Sequence, residues 1–217
     1  MTKFTSLQKE INDLFKLEEV DIGPYRVLKY PTPFSIMKME IHKYKIEDFG
    51  YLMIMNTSML GLMRLTTLSF TPSSGKNVPY LLIDTMAMGK KRLAYVEFYN
   101  TTHLTYPILE DLSAKYQDIP NYNEHDAWYV KERMKGSLIK CGDKKLENQL
   151  FTMIIDAIKT YKTVITYADK NNDNLNMLRA LADRMMTEGN PSSKTLKKVL
   201  GPEKAQTFFK EIIMPLS

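Results

Sequence analysis

One aspartate inside an apolar segment is the first feature of this sequence that could do chemistry. Asp84 interrupts the run "VPYLLIDTMAM", which is otherwise almost entirely apolar and is typical of a buried strand. Burying an unpaired carboxylate is costly, so this residue must be hydrogen-bonded, held in its neutral form or facing a cavity. A turn, an edge position or a structural ion pair explains the same pattern, so a structural and a chemical role for Asp84 both stay open.

Other reactive side chains are few. The single cysteine, Cys141, excludes an intramolecular disulfide and a site made of cysteines alone. The histidines His42, His103 and His125 lie far apart and show no ligand-like spacing, so the sequence predicts no metal site.

Composition and charge narrow the class of protein. The chain has 217 residues, of which 44% are hydrophobic and 25% charged, as in an ordinary globular protein. Its net charge of +5 is interleaved with acidic residues, which favours an acidic protein partner or an anionic small molecule over nucleic acid. No apolar run approaches the ~20 residues of a membrane span, and no signal segment is evident at the start, so we predict a cytoplasmic protein.

The periodicity of apolar residues changes midway along the chain. In the first half, short alternating segments with short connections predict antiparallel strands over residues 24–30, 34–44, 51–59, 61–70, 78–88 and 92–100. In the second half, helical spacing predicts helices over residues 107–117, 146–165, 175–186, 194–201 and 202–214. We therefore predict one α+β domain spanning residues 1–217, with helices packed on an antiparallel sheet and an irregular segment at 119–143.

Methionine is abundant, with 15 residues in the chain. A core rich in methionine adapts to irregular shapes and could surround a large apolar ligand, although simple filling of the core explains it equally.

Two separate motifs resemble a known family. The segment "VPYLLIDTMAMGKKRLAYVEFYNTT", preceded by "TLSFTP", resembles the signature of the ferredoxin-dependent bilin reductases, and "GNPSSKTLKKVLGPEKAQTFFKEIIMPLS" resembles the ending of that family. The resemblance implies an α/β/α sandwich, a fold shared with the red chlorophyll catabolite reductases. It implies a linear tetrapyrrole between the central antiparallel sheet and the C-terminal helices. No metal or organic cofactor would be bound; electrons would come from external reduced ferredoxin or flavodoxin, and the protein would supply protons.

The resemblance also assigns site residues. Asp84 matches the catalytic aspartate that takes part in protonating the substrate. Thr67 falls where the family has a pocket histidine, and Met53 and Met55 fall where some members have a His-x-Glu pair. Asn190 falls at a second acid and is followed by Pro191, where a lysine often lies. We expect Thr67, Asn190, Met53, Met55 and Met86 to contact the substrate.

Three functions are compatible with these residues. The first is reduction of a bilin, or of a related chlorophyll catabolite, by two electrons, with Asp84 as proton donor. Glu40 or His42 would assist if their face of the strand lined the pocket. Five basic residues, Arg64, Lys90, Lys91, Arg92 and Lys194, are available for the propionates or for an acidic ferredoxin. The second function is a carrier of a bilin, heme or another planar apolar acid, and the third is an interaction module in which Asp84 is structural.

Overall fold

The computed structural model describes residues 3–31, 34–124, 126–190 and 192–216. Within these ranges, eight strands form one antiparallel sheet in the order β1-β3-β4-β5-β6-β7-β8, and β2 pairs with β3 beside β1. The strands are β1 Leu17–Val20, β2 Val27–Tyr30, β3 Met37–Ile46, β4 Gly50–Met59, β5 Met63–Thr71, β6 Tyr80–Met88, β7 Lys91–Tyr99 and β8 Leu138–Asp143.

Helices cover both faces of this sheet. The described helices are α1 Leu7–Leu14, α2 Pro107–Lys115, α3 Glu147–Tyr167, α4 Asn172–Thr187, α5 Ser193–Leu200 and α6 Pro202–Phe208, which continues as a π-helical turn over Phe209–Ile213. Asn171 caps α4 by accepting a hydrogen bond from the backbone NH of Asp173 at 2.9 Å, which satisfies a free donor of the first turn. Gly201 separates α5 from α6 with a φ of +80°, a conformation that glycine adopts without strain.

Strand alternation divides the interior into two apolar layers. Ile54, Leu68, Ile83 and Val96 point to one face of the sheet and pack in a single cluster with the buried residues of α1, α2 and α3. This layer contains a group of fully buried aromatic residues in which Phe49, Phe70 and Phe98 surround Tyr161.

The opposite face of the sheet packs against α4, α5 and α6. Met39, Ile41, Met53 and Met55 lie on this side, in one cluster with buried residues such as Leu178, Leu196 and Phe208. The predicted α+β class, with a central antiparallel sheet between helical layers, is confirmed.

Two segments differ from the sequence prediction. Residues 138–143 form the edge strand β8, although the segment was predicted to be irregular. The alternation of apolar and polar residues does not show this strand, because the charged residue Lys140 is buried. Its Nζ donates to the backbone oxygen of Ile119 at 3.0 Å and to Oδ1 of Asn121 at 2.7 Å. The predicted strand at 24–30 begins as a 3-10 turn with Pro24 in its first turn, so only Val27–Tyr30 pairs with β3.

Within the described ranges, no helix has the length and apolar character needed to cross a membrane.

Candidate functional site

Asp84 lies at the centre of a row of side chains that crosses the sheet. Its direct partners are Thr67 on β5 and Tyr95 on β7, and Thr67 is in turn opposite Met55 on β4. Residues directly opposite each other in an antiparallel pair point to the same face, so the four side chains all face the layer of C-terminal helices. The hydroxyl of Thr67 donates a hydrogen bond to Oδ1 of Asp84.

A cavity of about 470 Å³ lies between this face and α5. Its far wall is formed by the start of α5 and by Tyr122, Glu124, Tyr129 and Arg133. The described lining residues are Met37, Met39, Met55, Thr57, Met59, Met63, Leu65, Asp84, Met86, Tyr95, Glu97, Tyr122, Glu124, Tyr129, Arg133, Ser192, Thr195 and Leu196. Six of them are methionines, whose flexible and polarisable side chains suit a large apolar ligand of irregular shape.

The carboxyl of Asp84 holds a proton at a higher pH than an ordinary aspartate does. The side chain is only partly exposed, and it is exposed toward the cavity that it lines. Enclosure by protein raises the pKa of Asp84 from 3.8 to about 6, and the hydrogen bond from Thr67, which favours the charged form, opposes that rise. A group that titrates near neutral pH in a cleft is able to give and take protons during a reaction.

A second carboxyl faces the cavity from β7. Glu97 is buried, accepts a hydrogen bond from the hydroxyl of Tyr99 at 3.0 Å and accepts another from Nε of Arg133 at 2.7 Å. Burial raises the pKa of Glu97 to about 7; the charge of Arg133 opposes this rise, and the nearby charge of Asp84 adds to it. The guanidinium of Arg133 also bonds both oxygens of Glu124, so one cation joins two carboxylates.

This network was not predicted from the sequence. A signal for Glu97 was present, because it is an acidic residue in the apolar strand "RLAYVEFYN" and shares a face with Tyr95. Arg133 lies just after a short 3-10 turn, where no periodicity points to the interior.

The structure brings together only part of the predicted site. Met55 and Met86 line the cavity with Asp84, and Thr67 bonds Asp84 directly. Met53 lies on the same face of β4 but is fully buried in the core, and it is not among the residues that line the cavity.

Asn190 lies apart from the Asp84 cavity. Its Nδ2 donates to the backbone oxygen of Met185 at 3.1 Å, and its Oδ1 accepts from the backbone NH of Ser192 at 2.9 Å. These bonds connect the end of α4 to the start of α5, and Asn190 lines a smaller cavity of about 290 Å³ between these helices and α6. Pro191 lies outside the described residues.

The assisting groups proposed from the sequence lie on the other face of β3. Because Met37 and Met39 line the cavity, Glu40 and His42 point away from it. Glu40 pairs with Lys38 at 2.5 Å, and Nδ1 of His42 lies 3.2 Å from Oε1 of Glu19.

The basic residues named from the sequence do not line the cavity either. Arg92 is buried in an ion pair with Glu147, at 2.8 Å between its Nε and Oε2 of the glutamate. The expectation that Arg92 is available for propionates or ferredoxin was therefore wrong.

His125, one of the three histidines, lies outside the described residues. In the part of the chain that the structure describes, no group of three or more His, Cys, Asp or Glu side chains is placed to hold a metal ion.

The fold is that of the ferredoxin-dependent bilin reductases. The chain is similar to the crystal structure of selenomethionine-labelled phytochromobilin synthase from tomato in complex with biliverdin, with a TM-score of 0.81. The likeness covers 99% of this chain and 84% of that chain at 12% sequence identity. No family model matches the chain, and no curated protein matches it. The resemblance drawn from the two motifs is therefore confirmed at the level of the fold.

Proposed function

We propose that this protein reduces a linear tetrapyrrole of the bilin type, with Asp84 as proton donor and an external one-electron donor such as ferredoxin or flavodoxin. The observation that carries the proposal is the position of Asp84, whose carboxyl has a raised pKa in the wall of a cavity rich in methionine. The similar tomato protein was solved in complex with biliverdin, which supports this substrate class.

The chemistry requires two electrons and two protons for each double bond that is reduced. The electrons arrive one at a time from the external donor, and each makes the tetrapyrrole more basic. Asp84 gives one proton to the reduced substrate and is left as a carboxylate that accepts a hydrogen bond from Thr67. It then takes up a proton from solvent and gives it to the substrate after the second electron, so that a single carboxyl serves both protonations.

The cavity lining would hold the substrate by apolar contact. Met55 and Tyr95 belong to the same row as Asp84, and Met86 lies two residues further along β6 on the same face. A bound tetrapyrrole that displaces water from this surface raises the proton affinity of Asp84 further, because the charged carboxylate then loses more of its solvation.

The test is a visible absorption titration with biliverdin, followed by reduced ferredoxin under anaerobic conditions. We expect the wild type to bind biliverdin and convert it to a new pigment. Asp84→Asn should keep binding and lose at least about 100-fold in turnover, because general acid catalysis contributes about 10²–10⁴-fold.

Asp48→Asn is the matched control, since Asp48 is exposed in the turn before β4, pairs with Lys170 at 3.5 Å and is not among the described residues that line the cavity. Full turnover by Asp84→Asn would contradict the assignment of the proton donor, and failure of the wild type to bind any linear tetrapyrrole would contradict the function.

A carrier function is the second candidate. It is favoured by Met55, an apolar side chain in the cavity wall at a position where the resemblance places a polar group in some members. A carrier would bind biliverdin and release it unchanged in the same anaerobic assay.

A further inference from the structure

The charged groups that line the Asp84 cavity are mostly acidic. Among the described lining residues, the charged side chains are the carboxyls of Asp84, Glu97 and Glu124 and the guanidinium of Arg133. A biliverdin-like ligand carries two propionate side chains, which are negative at neutral pH. The cavity therefore presents more negative groups than positive groups to such a ligand, and its propionates are also negative.

The guanidinium is already engaged. The Nε of Arg133 donates to Glu97, its other two nitrogens donate to the two oxygens of Glu124, and the guanidinium carbon lies 5.8 Å from the centre of the Tyr129 ring. The Arg133 side chain is 8% exposed, so a ligand carboxylate has little access to it. A propionate would have to displace Glu97 or Glu124, leaving a carboxylate in the wall without its partner.

We propose that this cavity selects the uncharged body of a tetrapyrrole and excludes its carboxylates, so that a neutral diester is bound at least as tightly as the diacid. The inference rests on the proposed function, because it specifies the substrate class of the same site. Ligand carboxylates inside the cavity would lose hydration and gain no free cation from the described lining residues, whereas ester groups carry no charge to desolvate.

The test compares the dissociation constants of biliverdin and biliverdin dimethyl ester at pH 8 and low salt. We expect the diester to bind with an equal or lower dissociation constant. A diacid that binds at least tenfold more tightly would overturn the inference. An equal or lower dissociation constant for the diester, without ferredoxin-dependent conversion of either ligand, would contradict the proposed reductase function and leave the inference supported. Failure of both ligands to bind would overturn both.

A charge added to the cavity wall gives a second test. Thr195 lies on α5 and lines the cavity, so Thr195→Lys places a cation where a ligand carboxylate can reach it. We expect this variant to improve binding of the diacid relative to the diester by at least about threefold, the low-to-middle range for an exposed ion pair.

The matched control is Thr163→Lys, at an exposed position of α3 on the other side of the sheet. It should leave the ratio of the two dissociation constants unchanged. Equal ratios in Thr195→Lys and wild type would contradict the electrostatic explanation.

Discussion

Thr67 and Asp84 are directly opposite each other on β5 and β6, and the threonine hydroxyl donates a hydrogen bond to the aspartate carboxyl. The bond stabilises the carboxylate, whereas enclosure by the protein disfavours it. The balance between these two effects keeps the pKa of Asp84 near 6, within the range in which a carboxyl can both give and regain a proton at neutral pH.

Removing this hydroxyl should raise the proton affinity of Asp84. In Thr67→Val, we expect the pKa of Asp84 to rise by about one to two units, since a hydrogen bond to a charged group contributes about 1.5–3 kcal/mol. The measurement is an infrared or ¹³C NMR titration of the Asp84 carboxyl. Thr66→Val is the control, because Thr66 points to the other face of β5 and bonds Asn56 at 2.8 Å. An unchanged or lower pKa in Thr67→Val would refute the role of the hydroxyl.

The raised pKa of Asp84 should make stability depend on pH. The folded-state pKa of about 6 lies above the ordinary value of 3.8, so the folded state gains stability from protonation below pH 4 and loses it as the pH rises through 6. The loss amounts to at most about 3 kcal/mol. We expect the free energy of unfolding, measured in urea at pH 4 and pH 7, to fall more in the wild type than in Asp84→Asn.

Glu97 is present in both proteins and adds a background of the same sign, because its pKa is raised to about 7. The comparison between the two proteins therefore reports the titration of Asp84 together with the effect of its charge on Glu97. Identical changes between pH 4 and pH 7 would show that Asp84 titrates alike in the folded and unfolded states.

Arg133 should be essential for stability, since it is the partner of two enclosed carboxylates. Arg133→Met leaves Glu97 and Glu124 without their cation, and breaking a buried pair in this way costs about 3–5 kcal/mol. Denaturation in urea measures the effect. Lys131→Met, an exposed position of the 3-10 turn that precedes Arg133, should change stability by less than about 0.5 kcal/mol. A small effect of Arg133→Met would mean that the carboxyls are neutral in the folded protein.

Two methionines that were both expected to contact the substrate should behave differently. Met53→Ala removes a fully buried side chain from the core and should cost about 2–5 kcal/mol in stability, with unchanged tetrapyrrole affinity of the folded protein. Met86→Ala removes a partly exposed side chain from the cavity wall and should weaken tetrapyrrole binding at a smaller cost in stability. Urea denaturation and biliverdin titration of both variants test this. Equal affinities of Met86→Ala and the wild type would contradict the predicted contact.

Much of the sheet was predictable because its strands are regular. From β3 to β7, alternation and short connections locate every strand to within a few residues, and the odd polarity of Asp84 marks the face that holds the cavity. The edge strand β8 was missed because its pairing with β7 and the local bonds of Lys140 stabilise it, and neither is visible in a local pattern.

The cavity itself was predictable only in part. Asp84 and Met55 point into it because alternation along a strand fixes the side of the sheet that each residue faces. The position of Asn190 depends on how α4 meets α5, and the ion pair of Arg133 with Glu97 joins residues 36 positions apart in the chain. Such contacts are set by tertiary packing, so a single sequence carries no direct signal for them.

The alternation of side chains on β6 also means that Asp84 disfavours an incorrect strand register. Its neighbour Ile83 lies between Leu68 and Val96 in the apolar cluster under α3. A slip of β6 by one residue against β5 and β7 would exchange the two side chains, burying the carboxyl in that layer and exposing the isoleucine to the cavity. The free energy needed to bury a carboxylate without a partner then disfavours the wrong pairing, so the group proposed to protonate the substrate also helps the chain to reject incorrect strand registers while it folds.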